Sequence, residues 1–384
     1  MNLLPYSYVK INDCLRLMLQ NNLIRLTGHG AGKHYALLEK GKQELTAFNP
    51  QRYPRCLFAD NNTLLRDHIR AMAIGDSAAM LVVSGYAVHP HDKPCLPAHT
   101  PVPDDDSGGR QIYQNRLDYQ YPGSGDDAYY PRRKTPVNCF YSSVEIKRYF
   151  KPKNDMGLRY SRACGVLFTP DYLLRVFHSR DVALEYKATG ENKLKDSLQK
   201  IFTDKLPPYR QGLLVLGDGF KAAEKILETE FNPERAKMLR VTRKTCIGPK
   251  NLGTPLFYFP VLPESLPMLR LLQFPGWEGS VSPFMARQLY KNYRERNDVY
   301  FAEGDDGTVI YIGLSLNLTS FARLMRDMRE RARNISFICL NWQKEFYETM
   351  LKRYTGENAE YVRIITATND AVRFIESQLS DSWG

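Results

Sequence analysis

The sequence predicts an α/β (α+β) fold, and three observations lead to this prediction. Short apolar runs at 165–169, 171–177 and 182–187 are bounded by turn residues and are too short for helices. The run 212–217 has the continuous apolar character of a buried strand. Beyond residue 217, helical and strand patterns alternate to the end of the chain, as in layered α/β proteins.

Length and composition divide the chain into four segments. The chain has 384 residues and is 43% hydrophobic, which is enough for two or three folded domains. We predict an N-terminal region at 1–85, a linker or mobile loop at 86–137, an α/β domain at 138–245 and a C-terminal α/β extension at 246–384. The linker is predicted because 88–137 is rich in Pro, Gly, Asp and Tyr and lacks apolar periodicity.

The first segment is typical of part of a winged helix. Residues 9–21 have a helical apolar face, and residues 21–45 indicate a hairpin with a glycine-rich tip followed by a helix. In a winged helix, one helix enters the major groove and the hairpin lies along the DNA backbone. The helix predicted at 62–83 packs on this region or forms a homodimer element, and simple packing in a core is the alternative that we favour. The candidate DNA contacts are Arg16, Arg25, His29, Lys33 and His34.

Two further basic groups are candidates for contact with phosphates. Arg132, Arg133 and Lys134 end the predicted linker. The amphipathic helix predicted at 319–333 carries arginines on its polar face, among them Arg323 and Arg326. A solvated face with no ligand is the alternative in both cases.

The most chemically suggestive residues are Asp171, Glu185 and Lys187. A turn at 178–181 would pair 171–177 with 182–187 as an antiparallel hairpin and bring the three side chains to one edge of a sheet. Asp171 and Glu185 would then bind Mg²⁺ or Mn²⁺, and Lys187 would position an attacking water. The alternative is a plain hairpin in which Glu185 and Lys187 form an exposed ion pair.

This pattern resembles the signature of the PD-(D/E)xK nuclease superfamily, here Pro170-Asp171 followed by Glu185-Tyr186-Lys187. A helix predicted at 143–150, opened by a Ser142/Glu145 capping box, precedes these strands. A second helix at 192–202 and the buried strand at 212–217 follow them. The resemblance therefore implies an α-β-β-β-α-β core with Asp171, Glu185 and Lys187 as its catalytic residues.

A wider resemblance covers most of the chain. The runs FYSSVEIK, SRACGVL, LEYK and LPPYRQGLLVLGDG, with the closing α/β segment, are similar to the replication-relaxation family of Gram-positive plasmids and integrative conjugative elements. That family implies a winged helix joined to a nuclease-like domain, with double-stranded DNA and relaxase or replication proteins as partners. Many members lack the catalytic lysine position, which implies a nuclease fold used as a scaffold.

Charge and cysteine usage limit the classes of function. The net charge of +11 favours a polyanionic partner. Seven scattered cysteines without a CxxC pair, and no apolar run of membrane-spanning length, predict a cytoplasmic protein without a membrane partner. The sequence shows no internal repeat.

Three functions stay open, namely a DNA-binding accessory protein, a Mg²⁺-dependent endonuclease and a non-catalytic protein-interaction scaffold.

Overall fold

The structure is a computed structural model with a mixed α/β fold. It describes residues 8–27, 34–48, 65–88, 92–93, 138–143, 145–146, 162–179, 191, 194, 210–232, 254–296 and 298–383. Within these residues, the helices are α1 (Tyr8–Gln20), α2 (Glu39–Phe48), α3 (Leu65–Val83), α4 (Lys221–Phe231), α5 (Leu266–Leu271), α6 (Trp277–Arg287), α7 (Leu318–Glu330), α8 (Lys344–Thr355) and α9 (Asn369–Trp383).

The strands form one hairpin and two five-stranded sheets. They are β1 (Ile24–Thr27), β2 (His34–Leu37), β3 (Cys139–Ser142), β4 (Gly165–Phe168), β5 (Tyr172–Ser179), β6 (Arg210–Gly217), β7 (Leu256–Pro260), β8 (Tyr293–Glu295), β9 (Ala302–Gly304), β10 (Val309–Ile312), β11 (Ile335–Leu340) and β12 (Val362–Ala367). No helix of the described part of the chain is long and apolar enough to cross a membrane.

The two large sheets share one topology. The first has the order β3-β4-β5-β6-β7, in which β3, β4 and β5 are antiparallel neighbours and β6 and β7 run parallel to β5. The second has the order β8-β9-β10-β11-β12, again with three antiparallel strands followed by two parallel ones. The chain therefore repeats one supersecondary unit, although no internal repeat is visible in its sequence.

The helices follow the same repeat. Side chains of α4, α7 and α8, which lie in the parallel connections, bury one face of the sheets. The opposite faces pack on α3 and α6, which precede the first strand of each sheet, and on α5 and α9, which follow the last strand. Both apolar clusters contain residues of both sheets, so burial of apolar surface joins the two halves into layers.

Backbone pairing also joins the halves. The edge strand β7 of the first sheet meets the segment that follows β10, through an antiparallel bridge between Phe257 and Asn317. The amide of Tyr258 donates to the carbonyl of Leu316 at 3.1 Å. Asn317 also begins α7, since its side-chain oxygen accepts from the Ser320 amide at 3.3 Å.

The prediction that 171–177 pairs with 182–187 in an antiparallel hairpin is wrong, because strand β5 has other partners on both edges. β5 pairs with β6 along all eight residues, and β4 occupies its other side. Because a strand has only two hydrogen-bonding edges, β5 has no edge left for 182–187. The first strand of the sheet is instead β3, which sequence patterns did not identify.

The capping box at the end of β3 is confirmed. The amide of Ser142 donates to Glu145 Oε2 at 2.7 Å, and the Glu145 amide donates to Ser142 Oγ at 3.3 Å. Ser143, Glu145 and Ile146 are helical, as predicted, and the remainder of the predicted helix lies outside the described residues.

The first residues of the predicted linker are part of the folded layers. Ala87 forms a parallel bridge with Cys139, and the Tyr86 hydroxyl donates to the carbonyl of Leu269 at 2.8 Å. Further along, Lys93 is buried. Its ammonium lies 2.7 Å from Glu145 Oε1 and donates to the carbonyls of Val88 and Phe140 at 2.8 and 2.7 Å. Residues 94–137 lie outside the described part.

The buried Lys93–Glu145 pair yields a stability prediction. Replacement Lys93→Ala leaves the buried Glu145 carboxylate without its cation, so the free energy of unfolding should fall by about 3–5 kcal/mol. Chemical denaturation monitored by fluorescence measures the change. The double replacement Lys93→Met with Glu145→Gln removes both charges and should recover much of the loss. Equal destabilisation in the single and double variants would contradict the ion-pair explanation.

Candidate functional site around Asp171

Asp171 lies in the tight turn between β4 and β5. The Thr169 amide donates to the carbonyl of Tyr172 at 2.8 Å, and the Tyr172 amide donates to Thr169 Oγ1 at 3.0 Å. The Asp171 carbonyl accepts from the Arg210 amide at 3.1 Å, at the first position of β6. The turn and the parallel pairing together place Asp171 at the amino ends of β5 and β6.

The carboxylate of Asp171 caps a helix of the second half. Its Oδ2 accepts from the backbone amide of Gly276 at 2.8 Å. Gly276 precedes α6 and has a φ of 66°, a left-handed conformation that glycine adopts without a steric penalty. A carboxylate at a helix N-terminus is stabilised by the backbone amides and by the helix dipole. Asp171 therefore has a structural role between the two halves.

A hydrogen-bonded group of side chains lies beside this cap. The buried Tyr172 hydroxyl donates to Glu278 Oε2 at 3.0 Å, and Arg210 Nη1 lies 3.5 Å from the same oxygen. Burial is the main reason that the pKa of Tyr172 is raised, and the Glu278 charge raises it further. Burial also raises the pKa of Glu278, although Tyr172 and Arg210 act in the opposite direction.

This electrostatic environment disfavours a divalent cation. The amino end of α6 and the guanidinium of Arg210 already supply positive potential to Asp171 and Glu278. Across the residues that the structure describes, no group of three or more His, Cys, Asp or Glu side chains could hold a metal ion. Glu185 and Lys187 lie outside the described residues, so their predicted association with Asp171, Mg²⁺ or Mn²⁺ stays a prediction.

The predicted DNA contacts fall into three groups. Arg16 and Arg25 are exposed in the N-terminal unit, on α1 and β1. Arg323 is exposed on α7, whereas Arg326 lies 3.4 Å from the nearly buried carboxylate of Glu230 and thereby joins α7 to α4. His34 begins β2, and the others, His29, Lys33, Arg132, Arg133 and Lys134, lie outside the described residues.

Sequence patterns missed three members of the Asp171 group. Arg210, Gly276 and Glu278 are distant from Asp171 in the sequence and carry no motif. His178 falls in the turn predicted at 178–181 but lies within β5, with a side chain only 1% exposed. Its Nε2 lies 3.9 Å from carboxylate oxygens of both Asp76 and Asp218, which connects α3 with the end of β6.

Comparisons with protein-family models, with curated proteins and with solved structures found no match to this chain.

The capping role of Asp171 yields a second prediction. Asp171→Ala removes the acceptor for the Gly276 amide and should lower the free energy of unfolding by about 1 kcal/mol. Denaturant titration measures the loss. Asp305→Ala, which removes an exposed carboxylate from the corresponding turn between β9 and β10, is the matched control and should have little effect. Equal effects of the two replacements would contradict the capping role.

The raised pKa of Glu278 yields a prediction about pH. Because its folded-state pKa is raised, its contribution to stability is full below the unfolded-state pKa and is lost as pH rises through the folded-state pKa. Glu278→Gln keeps an acceptor for Tyr172 but cannot ionise. The variant should therefore gain stability relative to the native protein as the pH rises above the usual pKa of a glutamate and through the raised folded-state pKa of Glu278.

Thermal unfolding at several pH values tests this expectation. Solvent screening keeps the difference small, because the Glu278 side chain is 39% exposed. Glu357→Gln, a replacement of an exposed carboxylate, is the control. A stability difference for Glu278→Gln that is constant with pH, or that reverses in sign, would refute the assignment.

Proposed function

We propose that this chain is a DNA-binding accessory protein of a plasmid or conjugative element, acting in replication, DNA relaxation or transfer. In this proposal the N-terminal unit binds duplex DNA, and the nuclease-like part is a scaffold without catalysis. The main observation in support of this proposal is the arrangement of α1, the β1–β2 hairpin and α2. Those elements follow one another as in the second half of a winged helix, within a chain of net charge +11.

The hairpin is fixed to the helices on both sides. β1 pairs with β2 from Ile24–Leu37 to Thr27–His34, and the Leu38 amide donates to the carbonyl of Leu23 at 2.9 Å. Gly41 of α2 approaches that carbonyl so closely that a Cβ atom would lie 2.3 Å from its oxygen. The unit therefore holds α1 and the hairpin in a defined relative position.

Two arginines of this unit are suited to contact phosphates. Arg25 is exposed on β1, opposite Ala36. Arg16 is 70% exposed on α1 and lies 3.2 Å from Asp13, one turn earlier. An exposed ion pair of this kind adds little stability, so the guanidinium can exchange the carboxylate for a DNA phosphate at low cost.

The basic helix α7 contributes less to this surface than its sequence suggests. Arg326 is paired with Glu230, and Arg329 donates to the carbonyl of Tyr354 while its guanidinium lies 4.9 Å from the centre of the Phe231 ring. These arginines pack α7 against α4 and α8. Of the predicted contacts on α7, Arg323 is the exposed one.

The geometry around Asp171 favours the accessory protein over the endonuclease. A catalytic carboxylate in a metal-dependent nuclease must bind the cation. Asp171 instead accepts a backbone amide and lies beside Arg210, at the positive end of α6. The loss of catalysis is therefore proposed to accompany the use of Asp171 as a helix cap.

A protein-interaction role is a second candidate, favoured by apolar side chains on the same N-terminal unit. Leu26 and Tyr35 are opposite each other in the hairpin and are 50% and 46% exposed. Leu17 on α1 is 54% exposed. Exposed apolar residues on neighbouring elements are typical of contact surfaces for proteins.

Salt-dependent DNA binding tests the proposal. The double replacement Arg16→Ala with Arg25→Ala should weaken duplex binding and reduce the slope of log affinity against log salt by about 2, one unit for each lost phosphate contact. Fluorescence anisotropy with a labelled duplex measures both quantities. Replacement of both arginines by lysine should retain most of the slope.

Controls separate this function from the alternatives. Arg294→Ala removes an arginine that is 80% exposed in the second sheet and should leave DNA binding unchanged. Unchanged binding in the Arg16/Arg25 variant would contradict the proposed interface. Mg²⁺- or Mn²⁺-dependent cleavage that Asp171→Asn abolishes would instead support the endonuclease. Absence of DNA binding by the native protein would leave the interaction scaffold.

A further inference from the structure

The two five-stranded sheets have four edge strands, and three of them are protected. Ala87 bridges to β3, and the segment after β10 bridges to β7. β8 has only three residues, of which Arg294 and Glu295 are exposed. Short or charged edges and edges covered by another segment resist pairing with a second chain.

The fourth edge, β12, lacks these protections. All six of its residues pair with β11 on one side. On its other side, no backbone hydrogen bond reaches it from any residue that the structure describes. Val362, Ile364 and Ile365 of this strand are only partly buried, and Arg363 is its single charged residue. An apolar edge of this length is a template for addition of a further strand.

A small groove lies along the same edge. It has a volume of about 160 Å³, and its charged rim and apolar floor are formed by Lys344, Glu348, Leu351, Ala359, Val362 and Ile364. Val362 and Ile364 lie on one face of β12, since they are two residues apart. A strand added to β12 would therefore place its own side chains beside this groove.

The first half of the molecule shows how the corresponding edge is used. β7 occupies the same place in the first sheet as β12 does in the second, as the last of the two parallel strands. The edge of β7 is partly covered by the turn that follows β10, through the bridge from Phe257 to Asn317, and Leu316 of this turn is completely buried. In the repeated unit, therefore, the outer edge of the last strand can pair with the backbone of a further segment. Among the described residues, no segment pairs with this edge of β12.

We propose that β12 pairs with β12 of a second copy of this chain, antiparallel and with Ile364 opposite Ile364. The charge pattern of the strand supports this occupant. In this register, Arg363 is opposite Ile365 of the second copy and Val362 is opposite Thr366, so no like charges face each other. The two sheets join into one sheet of ten strands, and the two Ile364 side chains meet beside the groove. This interface is independent of the proposed DNA binding.

The oligomeric state tests the proposal. Sedimentation velocity over a range of protein concentrations should show a reversible dimer. Thr366→Lys places two ammonium groups in the paired edge and should weaken dimerisation at least tenfold, or about 1.4 kcal/mol. Thr366 is exposed, so this variant should fold normally. Thr366→Val, which adds no charge, should dimerise like the native protein.

Thr349→Lys is the matched control away from the edge. It makes the same chemical change at an exposed residue of α8, about 100° around the helix from Glu348. It should leave the dimer unchanged. A native protein that is monomeric at every concentration, or equal effects of the Thr366 and Thr349 variants, would overturn the proposal.

Cross-linking tests the register. In an antiparallel pair, directly opposite residues have Cα atoms about 4.5–5.5 Å apart, within the range that a disulfide spans. Ile364→Cys should therefore form a covalent dimer on mild oxidation much faster than Thr366→Cys, whose copies are several residues apart. Equal rates would exclude this register. Protection of the β12 amides from hydrogen exchange in dilute monomer would show that another segment of the chain covers the edge, and would also overturn the proposal.

Discussion

The parallel pairing of β5 with β6 is the constraint on which the arrangement of the first half depends. It extends over all eight residues of both strands, and the opposite side of β5 is held by β4. Since both edges of β5 are occupied, the segment 182–187 cannot form the hairpin that local sequence favours. The same pairing sets Tyr172 opposite Arg210, which brings the start of β5 to Glu278 and the amino end of α6.

Repetition of this sheet topology explains how the two halves that contain the five-stranded sheets form one layered body. Each half has an apolar face on both sides of its sheet, and the helices of one half cover strands of the other through two shared cores. Specific polar contacts between described residues also cross the junction. They include the Asp171 cap on α6, the Arg326–Glu230 pair and the bridge from β7 to Asn317. Residues with the appearance of a functional motif thus have structural roles at the junction.

The capping of α6 by Asp171 bears directly on the interpretation of nuclease-like signatures. A Pro-Asp at the start of a strand satisfies a short pattern, but the pattern does not specify what the carboxylate contacts. In this fold a backbone amide and a helix dipole stabilise the charge that a cation would otherwise neutralise. The group that Asp171 contacts is therefore decided by a helix that begins more than a hundred residues later in the chain.

The sequence by itself determined the local elements whose periodicity or turn chemistry is strong. The sequence predicted the buried strand at 212–217 and the helices near 9–21 and 319–333 within a few residues, and it predicted the Ser142/Glu145 capping box. These features depend on neighbours in the chain. Only the tertiary structure decided that β5 pairs with β6, that Lys93 is buried against Glu145 and that Gly276 and Glu278 lie beside Asp171. Such contacts arise from competition between distant segments for the same strand edges and buried surface, and a local pattern contains no information about that competition.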